Sequence, residues 1–134
     1  MQRFSLATRH PRQLIDITAR LQEWVAGTGI RDGMLLVFVP HTTAAVTINE
    51  NADPDVVFDL VNALHRLVPD SPEFRHLEGN SAAHIQSSLI GTSELLIIEQ
   101  GSLVLGTWQS VYFCEFDGPR TRLFYAAITP GQSP

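Results

Sequence analysis

The chain has 134 residues, which fits one domain of ordinary size and gives no reason to divide it. Only 17% of the residues are charged, so part of the surface is expected to lie against another subunit, although a well-packed monomer could have the same composition. The formal net charge is −5, and all nine basic residues are arginine. Binding to nucleic acid needs a basic face, so no nucleic-acid partner is predicted.

The sequence also predicts where the chain resides. Its single cysteine, Cys114, cannot form a disulfide within the chain, and no apolar stretch approaches the ~20 residues of a membrane span. The segment Met1–His10 lacks the charged start and the apolar core of a signal peptide. We therefore expect a cytoplasmic protein without a membrane partner.

The first part of the chain alternates strands with a helix. Polar and apolar residues alternate from Gln2 to Thr8, which predicts a strand. A helix is predicted from Pro11 through Val25, because apolar residues recur there at three- and four-residue spacing. The continuous apolar run from Met34 to Val39 predicts a strand buried on both faces, and Ala44 to Ile48 resumes as a strand.

The second part predicts two helices followed by consecutive strands. Asp53 is suited to cap a helix that ends before Pro69, and a short helix is expected from Ser81 to Leu89. Three strands follow, at 94–99, 103–116 and 121–128, joined by turns. Strands that first mix with helices and then follow one another as hairpins are typical of the α+β class.

Histidine is the most informative residue type in this chain. His10 is expected in solvent, and His65 lies near a helix end, where an imidazolium complements the helix dipole. His41 follows a buried strand, His76 lies on a loop, and His84 lies inside a short helix. Three neutral imidazoles would suit a metal site with an open position, but their spacing matches no compact metal motif. Histidines that are only hydrogen-bonded structural residues are the alternative.

Other polar residues have both a functional and a structural interpretation. Glu50 and Asp53 could act as general bases or metal partners, although helix capping by itself explains Asp53. Arg120 and Arg122 alternate on a predicted strand and would point to one face, where they could bind a phosphate. The alternative is a solvated strand edge. Cys114 lies in an apolar run and is most simply a small core residue.

Three motifs, in order along the chain, resemble those of the YjbQ family, whose members are described as secondary thiamine-phosphate synthases. The first is HTTAAVTINENADPDV, from His41 to Val56, and the second combines His76–Asn80 with Ala83–Ile85. The third runs from Gly101 to Gln109 and continues at Glu115–Arg120. This chain departs from many relatives between His76 and His84, where Glu78 is the only carboxylate.

The resemblance implies one YjbQ-like domain over residues 1–134, an α+β fold of sandwich-like antiparallel sheets with about three helices, and a homotrimer. It also implies a pocket near a subunit boundary, with a possible divalent metal, zinc or magnesium. The metal ligands would be His41, His76 and His84. The catalytic residues would be His41, Glu50, Asp53 and His84. The substrate-binding residues would be Thr42, Asn51, Asn80, Trp108, Gln109, Arg120 and Arg122.

The family activity implied here joins a pyrimidine-methyl diphosphate to a thiazole phosphate and releases pyrophosphate. Such a reaction needs positive charge at the leaving diphosphate, from arginine or a metal, and an enclosed site for the pyrimidine, to which Trp108 could contribute. A chain of 134 residues is too short for the TIM barrel of the usual thiamine-phosphate synthase. The alternatives are a metal-dependent hydrolase or lyase of a phosphorylated metabolite, and a non-enzymatic trimer that binds a metabolite or metal.

Overall fold

The computed structural model describes residues 1–131, which form eight strands and three helices. The strands are β1 Gln2–Ala7, β2 Gln13–Asp16, β3 Gly33–Phe38, β4 Ala44–Glu50, β5 Ser93–Glu99, β6 Ser102–Leu103, β7 Gln109–Glu115 and β8 Thr121–Pro130. The helices are α1 Thr18–Thr28, α2 Pro54–Leu67 and α3 Ser81–Ile90. A large sheet has the strand order β1-β8-β3-β5-β6, and a small sheet has the order β2-β7-β4. All the strand pairs are antiparallel.

The main hydrophobic core lies between the two sheets. Leu35 of β3 and Phe124 of β8 meet Phe113 of β7 there, and all three side chains are fully buried. Helix α1 closes this core with Leu21 and Val25. The other face of the small sheet forms a second, smaller cluster against α3 and α2, so the layers run from large sheet to small sheet to helices.

Helix ends are the local features that the sequence predicted best. The Asp53 side chain accepts a hydrogen bond from the backbone N–H of Asp55 at 2.9 Å and so caps α2, with Pro54 as the first helical residue. Gly91 follows the last residue of α3, and its N–H donates to the Ser87 carbonyl. The predicted α+β class, with antiparallel sheets and three helices, is confirmed.

Two predicted elements were wrong because tertiary pairing overrides local spacing. The predicted first helix begins with strand β2, in which Leu14 pairs with Cys114, and the helix itself starts only at Thr18. The apolar residues of this stretch fit a strand as well as a helix, and pairing with β7 decides between them. The predicted strand 103–116 is also split, because β6 ends in the large sheet and β7 begins in the small one.

Strand β3 is buried on one face only within this chain, contrary to the sequence prediction. Leu35 and Val37 are fully buried, whereas Met34, Leu36 and Phe38 are 47%, 42% and 40% exposed. The register places Leu36 opposite Leu95 and Met34 opposite Ile97 on β5, and these two partners are about 60% exposed. We call this apolar patch the outer sheet face, defined by Met34, Leu36, Phe38, Leu95 and Ile97.

Within residues 1–131, no helix is long and apolar enough to cross a membrane. The helices and strands of residues 1–131 all belong to the layers described above. The prediction that the single domain continues to the C-terminus lies, for residues 132–134, outside the described residues.

Candidate functional site

The candidate site is a cavity of about 650 Å³ at one end of the two sheets. Three connections cross from one sheet to the other at this end, at residues 8–12, 39–43 and 116–120. Two of them supply cavity walls, and the N-terminal part of α3 with the loop before it supplies another. The cavity therefore lies where the chain repeatedly changes sheets and where side chains from distant segments meet.

His41 lies on the crossover between β3 and β4. Its Nε2 accepts a hydrogen bond from the backbone N–H of Leu123 at 2.9 Å. The β3–β8 register would place Pro40 opposite Leu123, but the strand has ended there, and the His41 ring accepts the hydrogen bond instead. Partial burial, and then the positive charge of Arg122, lower the pKa of His41. A neutral imidazole is thus favoured at this position.

His76 and His84 form a pair on another wall of the cavity. Their ring centroids are 5.4 Å apart and the rings are nearly perpendicular. The Nε2 of His76 lies 3.9 Å from a carboxylate oxygen of Glu78, whose side chain is 75% exposed. Helix α3 positions His84, and the preceding loop carries His76. Two imidazoles and a nearby carboxylate are thus available on one side of the cavity.

A hydrogen-bonded group of Asn80, Asp117 and Arg120 lies beside these histidines. The Asp117 carboxylate oxygen Oδ2 accepts from Asn80 Nδ2 at 2.8 Å and from Arg120 Nη2 at 2.9 Å. Arg120 Nε also donates to the Asp117 carbonyl at 2.8 Å. The Arg120 side chain is half exposed, and its Nη1 has no hydrogen-bond partner within residues 1–131. Arg120 therefore has a donor left for a ligand.

Arg122 is held mainly by contacts in the interior of the protein, through its Nε and Nη2 atoms. Its side chain is 3% exposed and ion-paired with Glu115, which is fully buried. Arg122 Nε donates to Glu115 Oε2 at 2.8 Å, and Nη2 donates to Thr43 Oγ1 at 2.8 Å. The predicted alternation of Arg120 and Arg122 on one strand was wrong, because β8 begins after Arg120 and Arg122 points into the interior. Arg122 thus fixes the His41–Thr43 segment at the inner wall of the cavity, which it also lines.

Glu115 is ionised at the centre of this buried network. Burial by itself would raise its pKa, but hydrogen bonds from Arg122, from the Asp117 backbone and from Thr8 outweigh burial, so the pKa of Glu115 is lowered. The Thr8 hydroxyl donates to Oε2 at 2.8 Å, and the Asp117 N–H donates to Oε1 at 2.9 Å. The Glu115 carboxylate therefore bonds directly to two crossovers, and Arg122 connects it to the third at Thr43.

A second group of predicted site residues lies at the opposite end of the small sheet. The register pairs Ala44 with Glu115 at the cavity and Glu50 with Gln109 at the other end, about 20 Å away at the usual rise of a strand. Five residues that the resemblance placed beside the histidines lie at or near this far end within one chain, so that expectation is not met. They are Glu50, Asn51, Asp53, Trp108 and Gln109.

These five residues have structural contacts of their own. Asn51 Nδ2 donates to Ser110 Oγ at 2.6 Å, and the Glu50 carbonyl accepts from the Tyr112 hydroxyl at 3.0 Å. Gln109 accepts from the Gly106 N–H at 2.7 Å. Trp108 is 60% exposed. Asp53 caps α2, which is the structural role that the sequence offered as the alternative to a catalytic one.

The three histidines have only part of the geometry that a divalent metal site needs. Within the described part of the chain, no three His, Cys, Asp or Glu side chains converge in the manner of a metal site. His76 and His84 are close enough to serve as two imidazole ligands. The Nε2 of His41 is already engaged by Leu123 and does not fit the same set.

Sequence reasoning placed His41, Thr42, His76, Asn80, His84, Arg120 and Arg122 at the site, and all of them line the cavity. It did not select Phe38, Thr43 or Asp117, which also line it. Asp117 lies two residues after Glu115 and begins the Asp-Gly-Pro turn that leads to Arg120. This pattern of charged residues around a turn could have identified Asp117 as a site residue. Glu115 could have been found as a charged residue ending a long apolar run, which predicts a buried partner.

Fold and site together define a small α+β protein with a polar, histidine- and arginine-lined cavity at one end of two antiparallel sheets. The family described as UPF0047 protein YjbQ-like matches residues 2–131, and the chain belongs to this family. It is 48% identical over 126 residues to the UPF0047 protein MJ1081 of Methanocaldococcus jannaschii, covering 94% of this chain and 91% of that protein.

A bacterial relative and a solved structure agree with this assignment. The UPF0047 protein YugU of Bacillus subtilis is also 48% identical, over 93% of this chain and 96% of that protein. The crystal structure of a YjbQ/UPF0047-family protein from Clostridium acetobutylicum superposes with a TM-score of 0.94 at 50% identity, covering 96% of this chain and all of that one. The fold is therefore that of the family.

Proposed function

We propose that this chain is a small-metabolite enzyme of the secondary thiamine-phosphate synthase type. The observation that carries the proposal is the convergence of His41, His76, His84 and Arg120 on one cavity of about 650 Å³. This volume suits a small molecule, since ligand pockets usually measure ~300–1,000 Å³. The cavity mixes positive charge, imidazoles and one aromatic residue, Phe38, which suits a phosphorylated ring compound.

In the proposed reaction, the C–O bond of the pyrimidine-methyl diphosphate breaks and pyrophosphate leaves. The thiazole nitrogen forms the new C–N bond, which gives thiamine phosphate. The free Nη1 of Arg120 would hold a diphosphate oxygen, while its bonds to Asp117 fix the guanidinium in place. Trp108, expected to enclose the pyrimidine, lies away from the cavity within one chain, so Phe38 takes that position in the proposal.

A divalent metal also belongs to the proposal, held by His76 and His84. Imidazole ligands favour zinc over magnesium, which prefers oxygen ligands. When bound, such an ion would supply further positive charge for the diphosphate oxygens. Helix α3 and the loop before it would present the two rings from one side of the cavity, which Arg120 also lines.

The outer sheet face supports the homotrimer as part of the same proposal. Its five apolar side chains are all at least 40% exposed, and continuous apolar patches of this kind mark interaction sites on soluble proteins. Phe38 belongs both to this face and to the cavity lining. A second copy docked on the outer sheet face would therefore approach the cavity mouth and place the site near a subunit boundary.

The proposal is tested by mixing the protein with the pyrimidine-methyl diphosphate and the thiazole phosphate, with and without added zinc. Thiamine phosphate is then quantified by chromatography and pyrophosphate by a coupled assay. Arg120→Gln should lose most of the rate, whereas the control Arg31→Gln, outside the cavity, should not. If neither product exceeds the protein-free background, the synthase proposal is wrong. Release of phosphate from the single substrates would instead favour the hydrolase or lyase alternative.

A further inference from the structure

The hydrogen bond between the Leu123 backbone and His41 constrains the chemistry of the imidazole ring. A backbone N–H is a donor with no acceptor capacity, so the nitrogen it contacts must present a lone pair. That nitrogen is Nε2, at 2.9 Å from the Leu123 nitrogen. In a neutral histidine, one ring nitrogen carries the proton and the other the lone pair. The proton of His41 therefore resides on Nδ1.

The Nδ1 atom is available to a ligand. Within residues 1–131 it has no hydrogen-bond partner, and it is not among the buried polar atoms that lack one, so it is open to solvent. His41 lines the cavity together with Arg120, whose Nη1 is likewise without a protein partner in the described chain. His41 Nδ1 and Arg120 Nη1 are thus both available to a ligand on the walls of one cavity.

We propose that His41 serves the cavity as a neutral imidazole whose Nδ1–H donates a hydrogen bond to a phosphoryl oxygen of the ligand, and that it is not a metal ligand. The phosphoryl oxygen as acceptor rests on the proposed function, whereas the position of the proton does not. Any metal in the cavity is then held by His76 and His84 without His41.

Coordination by His41 is disfavoured at both ring nitrogens. A metal at Nε2 would have to displace the Leu123 N–H, which would leave that backbone donor of β8 without its partner. A metal at Nδ1 needs the lone pair there, which moves the proton to Nε2 and sets it directly against the Leu123 N–H. The buried Arg122 beside this segment adds a positive charge that opposes a second cation.

The strand geometry makes this arrangement rigid. Arg122 donates to the Thr43 carbonyl and hydroxyl, two residues beyond His41, and it is itself held by Glu115. Leu123 is the next residue along β8, so both ends of the His41–Thr43 segment are tied to neighbouring residues of one strand. The ring is therefore fixed before any ligand arrives, as a preorganised donor should be.

The tautomer is measured directly by long-range proton–nitrogen NMR of the imidazole rings in ¹⁵N-labelled protein at pH 7.5, with His41→Asn used to assign the signals. We expect a protonated Nδ1 and an unprotonated Nε2 for His41. Zinc added to the same sample should leave this pattern unchanged, whatever it does to His76 and His84. A proton on Nε2, or loss of the Nδ1 proton on addition of zinc, would overturn the inference.

The donor role is tested by calorimetric titration with inorganic pyrophosphate. An Asn amide places its NH₂ near the position of the imidazole Nδ1, whereas a Gln amide reaches the position of Nε2. His41→Asn should therefore bind about as tightly as the native chain, and His41→Gln about 10- to 100-fold more weakly. Equal binding by both variants would refute the donor role. If the native chain does not bind pyrophosphate while Nδ1 carries the proton, the proposed function fails and the tautomer assignment stands.

Discussion

Arg122 of the large sheet and Glu115 of the small sheet form an ion pair whose side chains are 3% and 0% exposed. Each partner is also hydrogen-bonded to a crossover, Arg122 to Thr43 and Glu115 to Thr8. Buried charges are tolerated where hydrogen bonds engage them, and here both Glu115 oxygens and two of the three Arg122 nitrogens are engaged. The pair thus joins the two sheets at the end where the cavity lies.

Breaking this pair should be costly. Glu115→Gln leaves the Arg122 guanidinium buried without a counter-charge, and we expect a loss of about 3–5 kcal/mol in the free energy of unfolding, measured by urea titration. The exposed Glu23→Gln on α1 is the charge-matched control and should stay close to the native value. The double variant Glu115→Leu/Arg122→Met should be less destabilised than Glu115→Leu by itself, because it leaves no unpaired charge. Additive losses would contradict this account.

The same carboxylate should make the stability depend on pH. The pKa of Glu115 in the folded chain is lowered from its ordinary value of 4.5, so the folded state binds fewer protons than the unfolded state near that pH. Its stabilising contribution is therefore fully present above about pH 5 and is lost as the pH falls through the folded pKa. Urea titrations between pH 3 and 7 should show a shallower acid-side decline in Glu115→Gln than in the native chain. Parallel declines would refute the assignment.

The histidine pair makes a prediction about bound metal. We expect purified protein supplied with zinc to retain it, and His84→Ala to lose it, because the neighbouring ring of His76 offers too few ligands by itself. Elemental analysis measures the ratio of zinc to chain. His10→Ala removes an exposed histidine outside the cavity and serves as the control. A native chain that retains no zinc after supplementation would argue against the metal in the proposed function.

The outer sheet face predicts the assembly state. The native chain should elute as a trimer in size-exclusion chromatography with light scattering. Ile97→Glu places a charge within the apolar patch and should shift the mass toward the monomer, because burying that charge is unfavourable. Phe58→Glu changes an equally exposed apolar residue on α2 and should leave the trimer intact. If the native chain is a monomer at micromolar concentration, the outer sheet face is not a trimer interface.

Cys114 should be inert in the folded chain. Burial, and then the nearby charge of Glu94, raise the pKa of the thiol to about 12, so almost no thiolate exists at pH 8. A thiol reagent such as dithionitrobenzoate should label less than a tenth of the native chains in an hour, an order-of-magnitude expectation from burial. In denaturant it should label one thiol per chain. Rapid labelling of the native chain would show that β7 opens readily.

Individual residues show which parts of the fold and of the candidate site the sequence could predict. Capping of α2 by Asp53 was predictable because its causes are local and lie within a few residues. Strand β2 was not, because Leu14 and Ile15 fit either period and only pairing with β7 settles the choice. His41 and His84 were predicted to share a site and do line one cavity. Glu50 and Trp108 come from the same motifs, yet the length of β4 and β7 carries them to the far end of the sheet.

Gly118 has a consequence for how the cavity responds to changes elsewhere. A Cβ at this position would lie 2.4 Å from the His10 carbonyl and 2.9 Å from the Glu115 and Thr8 side chains, so two crossovers touch here without room for a methyl group. The third crossover is tied to the same place through Thr43 and Arg122. A shift of one sheet relative to the other would therefore change the shape of the cavity. The cavity end of this fold is therefore sensitive to sheet alignment, and on the proposed function we expect core substitutions far from His41 to alter ligand affinity before they unfold the chain.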